Sequence, residues 1–150
     1  MPTLLIVHHT PSPALHAMFE AILSGTNDPD LAAVDVIRRP ALSATAPDVL
    51  TADGVILGTP ANIGYMSGAL KHFFDTVYYP YLNATKAMPF GFYVHGNQGT
   101  EGAVNSIDVV TKGLGWKQVA EPVVVLGETT KPSLEACWNL GATVAATLLQ

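Results

Sequence analysis

Residues 54–68 read Gly-Val-Ile-Leu-Gly-Thr-Pro-Ala-Asn-Ile-Gly-Tyr-Met-Ser-Gly. The first six, Gly54 to Thr59, are short, apolar and partly β-branched, which predicts a strand buried on both faces. A connection follows that carries Pro60, Asn62 and Gly64. Beyond it Leu70, Phe73, Phe74, Val77 and Tyr78 recur at helical spacing, with Ser67 placed as an N-cap. Strand, long connection and amphipathic helix form the repeating unit of a parallel sheet.

The same order recurs on either side. Upstream, Thr3 to Val7 predicts a buried strand. Leu15, Met18, Phe19, Ile22 and Leu23 then predict a helix that Ser24-Gly25 closes. Val34, Val36 and Ile37 suggest a second strand, and Pro40 to Ala52 is mixed, with one helical turn after Pro47. Downstream, Phe90 to Val94 is a fourth strand. Val104, Ile107, Val110 and Leu114 mark a helix ending near Gly113 and Gly115. Pro122 to Leu126 is a fifth strand with its proline at the tolerated first position. Leu134, Cys137, Trp138, Val144 and Leu148 line a last helix that opens near Pro132. Five strand–helix repeats predict an α/β fold. Its sheet is parallel, doubly wound and five-stranded, in one domain over residues 1–150. The strands are apolar throughout rather than alternating, so both faces of the sheet are expected to be covered.

Composition narrows the partners. The 150 residues are 49% hydrophobic and 13% charged, with a net charge of −5. Nucleic-acid surfaces need clustered Lys and Arg, and anionic membranes need a basic run; neither is present. No stretch approaches the roughly 20 apolar residues of a membrane helix. The single Cys137 cannot form an internal disulfide, so a cytoplasmic location is expected. Its place on an apolar stripe reads as structural burial.

In a doubly wound sheet, ligands bind beyond the carboxyl ends of the strands. Three connections there are unlike simple turns. The first is His8-His-Thr-Pro-Ser-Pro-Ala-Leu15, leading straight into a helix. Unpaired N–H groups at a helix start, with the hydroxyls of Thr10 and Ser12, suit a phosphate without any basic side chain. The same residues also suit an ordinary cap, with Ser12 at N-cap and Pro13 at the first helical position. The second is Thr59 to Gly68, where Gly64 lets a flat ring approach the main chain and Asn62 can bond at a ring edge. The third is His95 to Gly102, with Asn97, Gln98 and Gly99 among its polar and glycine residues. No GxGxxG, Walker, GxSxG or HExxH pattern occurs at the required spacing.

Gly58-Thr-Pro60, Gly64, Met66-Ser-Gly68, Leu70-Lys71 and Phe74-Asp75 together resemble a signature of flavodoxin-like oxidoreductases that use flavin mononucleotide (FMN). The spacing is similar to that of the quinone reductase family that includes the tryptophan-repressor-binding protein. The resemblance implies a flavodoxin-like sheet in the order 2-1-3-4-5. It assigns Thr10, Ser12, Pro13, Ala14 and Leu15 to the phosphate loop. Pro60, Ala61, Asn62, Ile63 and Gly64 would lie beside the pyrimidine side of the isoalloxazine. His95, Gly96, Asn97, Gln98 and Gly99 would lie under the other side and the ribityl chain. Lys71, Phe74 and Asp75 would be structural. Pro13, Ala14 and Leu15 depart from the family pattern of glycine, a polar residue, then Thr or Ile, and Pro13 removes one N–H donor. The implied activity is electron transfer from NAD(P)H through FMN to a quinone or similar acceptor, with Asn62, Tyr65 and His95 as candidates for tuning the open ring face. The alternatives are a non-enzymatic electron carrier acting with a redox partner protein, and a flavin-free interaction domain. The sequence sets no oligomeric state; a homodimer is one option.

Overall fold

The structure is a computed structural model that describes all 150 residues. Its elements are β1 (Thr3–His8), α1 (Pro13–Thr26), β2 (Asp35–Pro40), α2 (Ala46–Leu50), β3 (Gly54–Asn62), β4 (Tyr65–Met66), α3 (Gly68–Val77), β5 (Pro89–Gly96), α4 (Thr100–Leu114), β6 (Lys117–Gln118), β7 (Val123–Leu126) and α5 (Lys131–Thr147). A short 3-10 turn over Pro29–Leu31 precedes β2.

The sheet runs β2-β1-β3-β5, with β6 and β7 end to end along the far edge of β5 as a fifth column, and all five columns are parallel. Counted as columns, the order is the 2-1-3-4-5 that the flavodoxin resemblance implies. The fifth column is broken between Gln118 and Val123, where Pro122 has no N–H to donate. Only β4 is antiparallel, folded back on the end of β3.

Side chains alternate across the strands, so two separate cores form. Leu5, Val7, Val55, Leu57, Phe90, Phe92 and Val94 pack with Leu70, Phe73 and Phe74 of α3 and Ile107 of α4. Leu4, Ile6, Ile56 and Tyr93 pack on the other face with Leu15, Met18 and Ile22 of α1 and Cys137, Leu140 and Val144 of α5. Most of these residues are sealed from solvent. Each aliphatic or aromatic side chain among them contributes about 1.5–3 kcal/mol by burial. Gly58 is required here: a Cβ on it would lie 2.0 Å from the Tyr93 ring. The Tyr93 hydroxyl is buried without a partner, and burial pushes its pKa far above the ordinary phenol value.

Coverage of the sheet is incomplete at one edge. In β7, Val125 is buried, while Val124 and Leu126 on the opposite face are 43% and 64% exposed. The sequence pattern alone suggests cover on both sides, whereas the start of α4 borders this outer face and leaves it partly open. No helix is long and apolar enough to cross a membrane.

Candidate functional site

The first loop leaves β1 at His8. The His9 N–H donates to the Gly58 carbonyl at 3.0 Å, tying the loop to β3. Ser12 is the N-cap of α1; its Oγ accepts from the Leu15 N–H at 3.2 Å, and Pro13 opens the helix. The N–H groups of Thr10, Ser12 and Ala14 make no hydrogen bond within the protein. They stand at the positive end of the α1 dipole. Leu15 differs from its neighbours: its side chain is in the core and its N–H is taken by Ser12, so it offers a ligand nothing directly. Pro13 is exposed and carries no N–H.

Two histidines flank this donor set. The His8 Nδ1 is 2.7 Å from the Thr10 Oγ1, and the His8 ring stacks on Phe19 at 4.1 Å between centroids. Burial holds the His8 pKa below its ordinary value, with smaller contributions from Arg38 and His9. The His9 Nδ1 is buried and has no partner.

The second loop is a hairpin rather than a loop. β3 continues through Pro60 and Ala61 to Asn62, and the chain reverses at Ile63 and Gly64. Asn62 pairs with Tyr65 and Ala61 with Met66. Ile63 and Gly64 have φ of 51° and 69°, the two successive left-handed residues of a tight type I′ turn. The sequence conceals this turn because its first position normally takes Asn, Asp or Gly, and here it holds a β-branched residue. The Ile63 side chain is fully exposed, and Tyr65 beside it is 42% exposed.

Hydrogen bonds that the sequence did not reveal, one of them to Ser106 of α4, hold the hairpin in place. The Met66 N–H donates to Ser106 Oγ of α4 at 3.1 Å, and Ser106 in turn donates to the Ala103 carbonyl. The Ser67 N–H donates to Thr59 Oγ1 at 2.9 Å. Gly64 rests on α4 so closely that a Cβ on Gly102 would fall 2.0 Å from the Gly64 carbonyl oxygen. A Cβ on Gly99 would fall 3.0 Å from the Gly64 Cα. A Cβ on Gly64 itself would meet nothing within 4 Å. One side of the turn is thus clamped to α4 and the other lies open. The sequence signals were small residues on the α4 face, Gly102 and Ser106, legible only once that face has a neighbour.

The third loop leaves β5 at Gly96, which lies against Ala61: a Cβ there would sit 2.9 Å from the Ala61 Cβ. Asn97, Gln98 and Gly99 are exposed, and Gly99 caps α4 in the left-handed conformation with no side-chain bond. The N–H groups of Asn97, Gln98 and Gly99 make no bond within the protein. His95 lies on the same sheet face as Tyr93. Its Nε2 is 2.8 Å from the Gly127 carbonyl, and the Gly127 N–H donates to Gly96 at 2.9 Å. The imidazole therefore fastens the third loop to the turn between β7 and α5. The predicted Lys71 and Asp75 form an i, i+4 ion pair at 2.6 Å on α3, away from the loops.

All three loops thus meet at the carboxyl edge of β1, β3 and β5. The first supplies unpaired N–H groups, two hydroxyls and an orphaned buried imidazole nitrogen, which fit a phosphate. The second and third touch at Gly64 and Gly99 and present an open glycine side, free amides and apolar side chains, which fit the edge and face of a flat ring. The residues present fit FMN.

Comparisons with known proteins agree. A family model described as NADPH-dependent FMN reductase matches residues 8–131, most of the chain. A flavodoxin from Aquifex aeolicus (strain VF5) is 34% identical over 77 residues. That match covers 51% of this chain and 40% of the flavodoxin, so the chain matches less than half the length of this curated relative. Among solved structures, a flavodoxin, WrbA-like protein from Agrobacterium tumefaciens superposes with a TM-score of 0.78 at 19% identity, covering 100% of this chain and 99% of that one. The two-electron reduced flavodoxin of Megasphaera elsdenii gives a TM-score of 0.79 at 21% identity, covering 95% and 98%. A flavodoxin from the domain Archaea gives 0.80 at 18%, covering 99% of each. These likenesses show a shared fold.

Proposed function

The chain belongs to the NADPH-dependent FMN reductase family, and we propose that it is an oxidoreductase passing electrons from NAD(P)H through FMN to a quinone or similar small acceptor. FMN is its cofactor, which sets aside the flavin-free alternative. When bound, FMN supplies hydride acceptance and electron donation, and the protein supplies binding, orientation and a defined environment.

The phosphate belongs on the first loop. Thr10 and Ser12 offer hydroxyls, and the N–H groups of Thr10, Ser12 and Ala14 offer donors at the α1 dipole. Pro13 and Leu15 shape the loop without donating. Pro60, Ala61, Asn62, Ile63 and Gly64 border one edge of the ring, with the exposed Asn62 amide as the polar contact. Gly96, Asn97, Gln98 and Gly99 border the other, and His95 fixes that loop through Gly127. Ile63 and Tyr65 are the exposed apolar groups at the hairpin, placed to exclude water from a ring face. No side chain is required as a covalent catalyst.

The observation that carries this reading is the clamping of Gly64 onto Gly99 and Gly102, which joins two loops into one wall while leaving the open side of Gly64 to a ligand. The test has two stages. The chain, freed of flavin, is titrated with FMN, and the holoprotein is then assayed for NAD(P)H oxidation with a quinone. Turnover supports the reductase. Absence of FMN binding would overturn the site.

A second reading, an electron carrier for a partner protein, is supported by the 34% identity over 77 residues to the flavodoxin of Aquifex aeolicus. Negligible NAD(P)H oxidation together with stable one-electron photoreduction would select it. The free, buried Cys137 suits a reducing compartment, so the proposal places the protein in the cytoplasm.

A further inference from the structure

We infer that His8 is a positioning residue that makes the site discriminate the phosphorylated flavin from riboflavin, by directing the Thr10 hydroxyl toward the phosphate. This rests on the reading that the first loop holds the FMN phosphate.

The loop has no Lys or Arg among His8 to Leu15, so a phosphate must be met by neutral donors. Thr10 has one hydroxyl proton. Its oxygen is 2.7 Å from His8 Nδ1, and only two arrangements satisfy that contact. If the ring accepts, the Thr10 proton is spent on His8 and only lone pairs face outward, which repel a phosphate oxygen. If the ring donates from Nδ1–H, the Thr10 proton is released to bond the phosphate. A protonated imidazole carries hydrogen on both nitrogens and permits only the second arrangement. It also places a positive charge behind the hydroxyl.

The setting restricts His8 to this task. Its ring is stacked on Phe19 of α1 and half-buried at the end of β1. The charged or titratable groups that act on it are Arg38 of β2 and the adjacent His9. From β3 it pairs with Gly58, which has no side chain. Without ligand, burial first and those neighbours second favour the neutral ring. A phosphate on the loop reverses that balance, so FMN binding takes up a proton at His8 and riboflavin binding does not.

The test compares the parent chain with His8→Asn, which can keep a bond to Thr10 but cannot titrate, and His8→Phe, which keeps the stack and loses the bond. Each is titrated with FMN and with riboflavin between pH 5.5 and 8. Free FMN titrates in the same range but identically in all three experiments, so the ratios between the proteins isolate what His8 and the bound phosphate gain from each other. Parent and His8→Asn should differ by about tenfold in FMN affinity at the acid end and converge at the alkaline end. His8→Phe should be weak for FMN across the range. Riboflavin affinity should stay the same for all three. In the parent, the His8 imidazole, followed by NMR, should titrate at higher pH with FMN than without, and unchanged with riboflavin. Three results would overturn the inference: a His8→Asn profile parallel to the parent, equal losses for both flavins, or a His8 resonance indifferent to FMN. Failure of the parent to bind either flavin would overturn the site reading and the inference together. Tight binding of FMN over riboflavin with an indifferent His8 would overturn the inference alone.

Discussion

Replacing Ile63 by asparagine should stabilise the flavin-free protein and weaken its hold on FMN. Ile63 has φ of 51°, a conformation that costs an L-residue with a Cβ about 1–2 kcal/mol, more so when β-branched. Nothing local offsets this. The side chain is fully exposed, so burial contributes nothing, and it makes no hydrogen bond. Asparagine tolerates the left-handed region and, followed by Gly64, matches the preferred turn pair. Recovery of about 1 kcal/mol corresponds to a rise in melting temperature of about 2–4 °C for a chain of this size. The assay is thermal unfolding of the flavin-free proteins under identical buffer. A variant that melts at or below the parent would refute the strain argument. The second readout is FMN titration. Losing an apolar group of this size from a ring face should cost roughly 1 kcal/mol, or about fivefold in affinity. Unchanged affinity would show that Ile63 does not cover the ring. Opposite movement of stability and affinity is the signature of strain kept for function.

Further outcomes follow from single contacts. Gly102→Ala places a methyl 2.0 Å from the Gly64 carbonyl, so the hairpin must shift; stability should fall by about 1–3 kcal/mol in urea unfolding and FMN should bind more weakly, and parent-like behaviour would mean the hairpin does not sit on α4. Tyr93→Phe removes a buried hydroxyl with no partner and should raise the urea midpoint by about 1 kcal/mol equivalent, whereas a loss would reveal a partner for it. His8 governs part of the acid sensitivity of the flavin-free protein. Its folded pKa lies below the ordinary 6.5, so the unfolded chain binds more protons in the window just below 6.5. This contribution to stability is complete above that window and is lost as pH falls through it. Urea midpoints should therefore drop on acidification from pH 7.5 to 5, and His8→Asn should flatten the drop; equal slopes would refute the assignment.

Much of this molecule is legible in its chain of residues, because burial imposes a period. Leu4 to Val7, Val55 to Leu57 and Phe90 to Val94 are apolar without interruption, which only a sheet covered on both faces allows, and Leu70, Phe73, Phe74 and Val77 keep the helical spacing that covers it. The caps at Ser12 and Ser67 are local chemistry and sit where the sequence puts them. Placement of the three loops at one sheet edge follows from parallel topology, since every strand ends on the same side. What depended on the tertiary structure is whatever needs a second element for its meaning. The turn at Ile63 exists because α4 receives Gly64 against Gly99 and Gly102; local preference alone argues against isoleucine there. His95 reads as a ligand-facing residue until Gly127, far along the chain, accepts its imidazole. His8 gains its role from a threonine two residues on and a phenylalanine one helix away. Short-range pattern encodes which residues are buried and which cap, whereas contacts between distant segments decide how the exposed remainder is aimed.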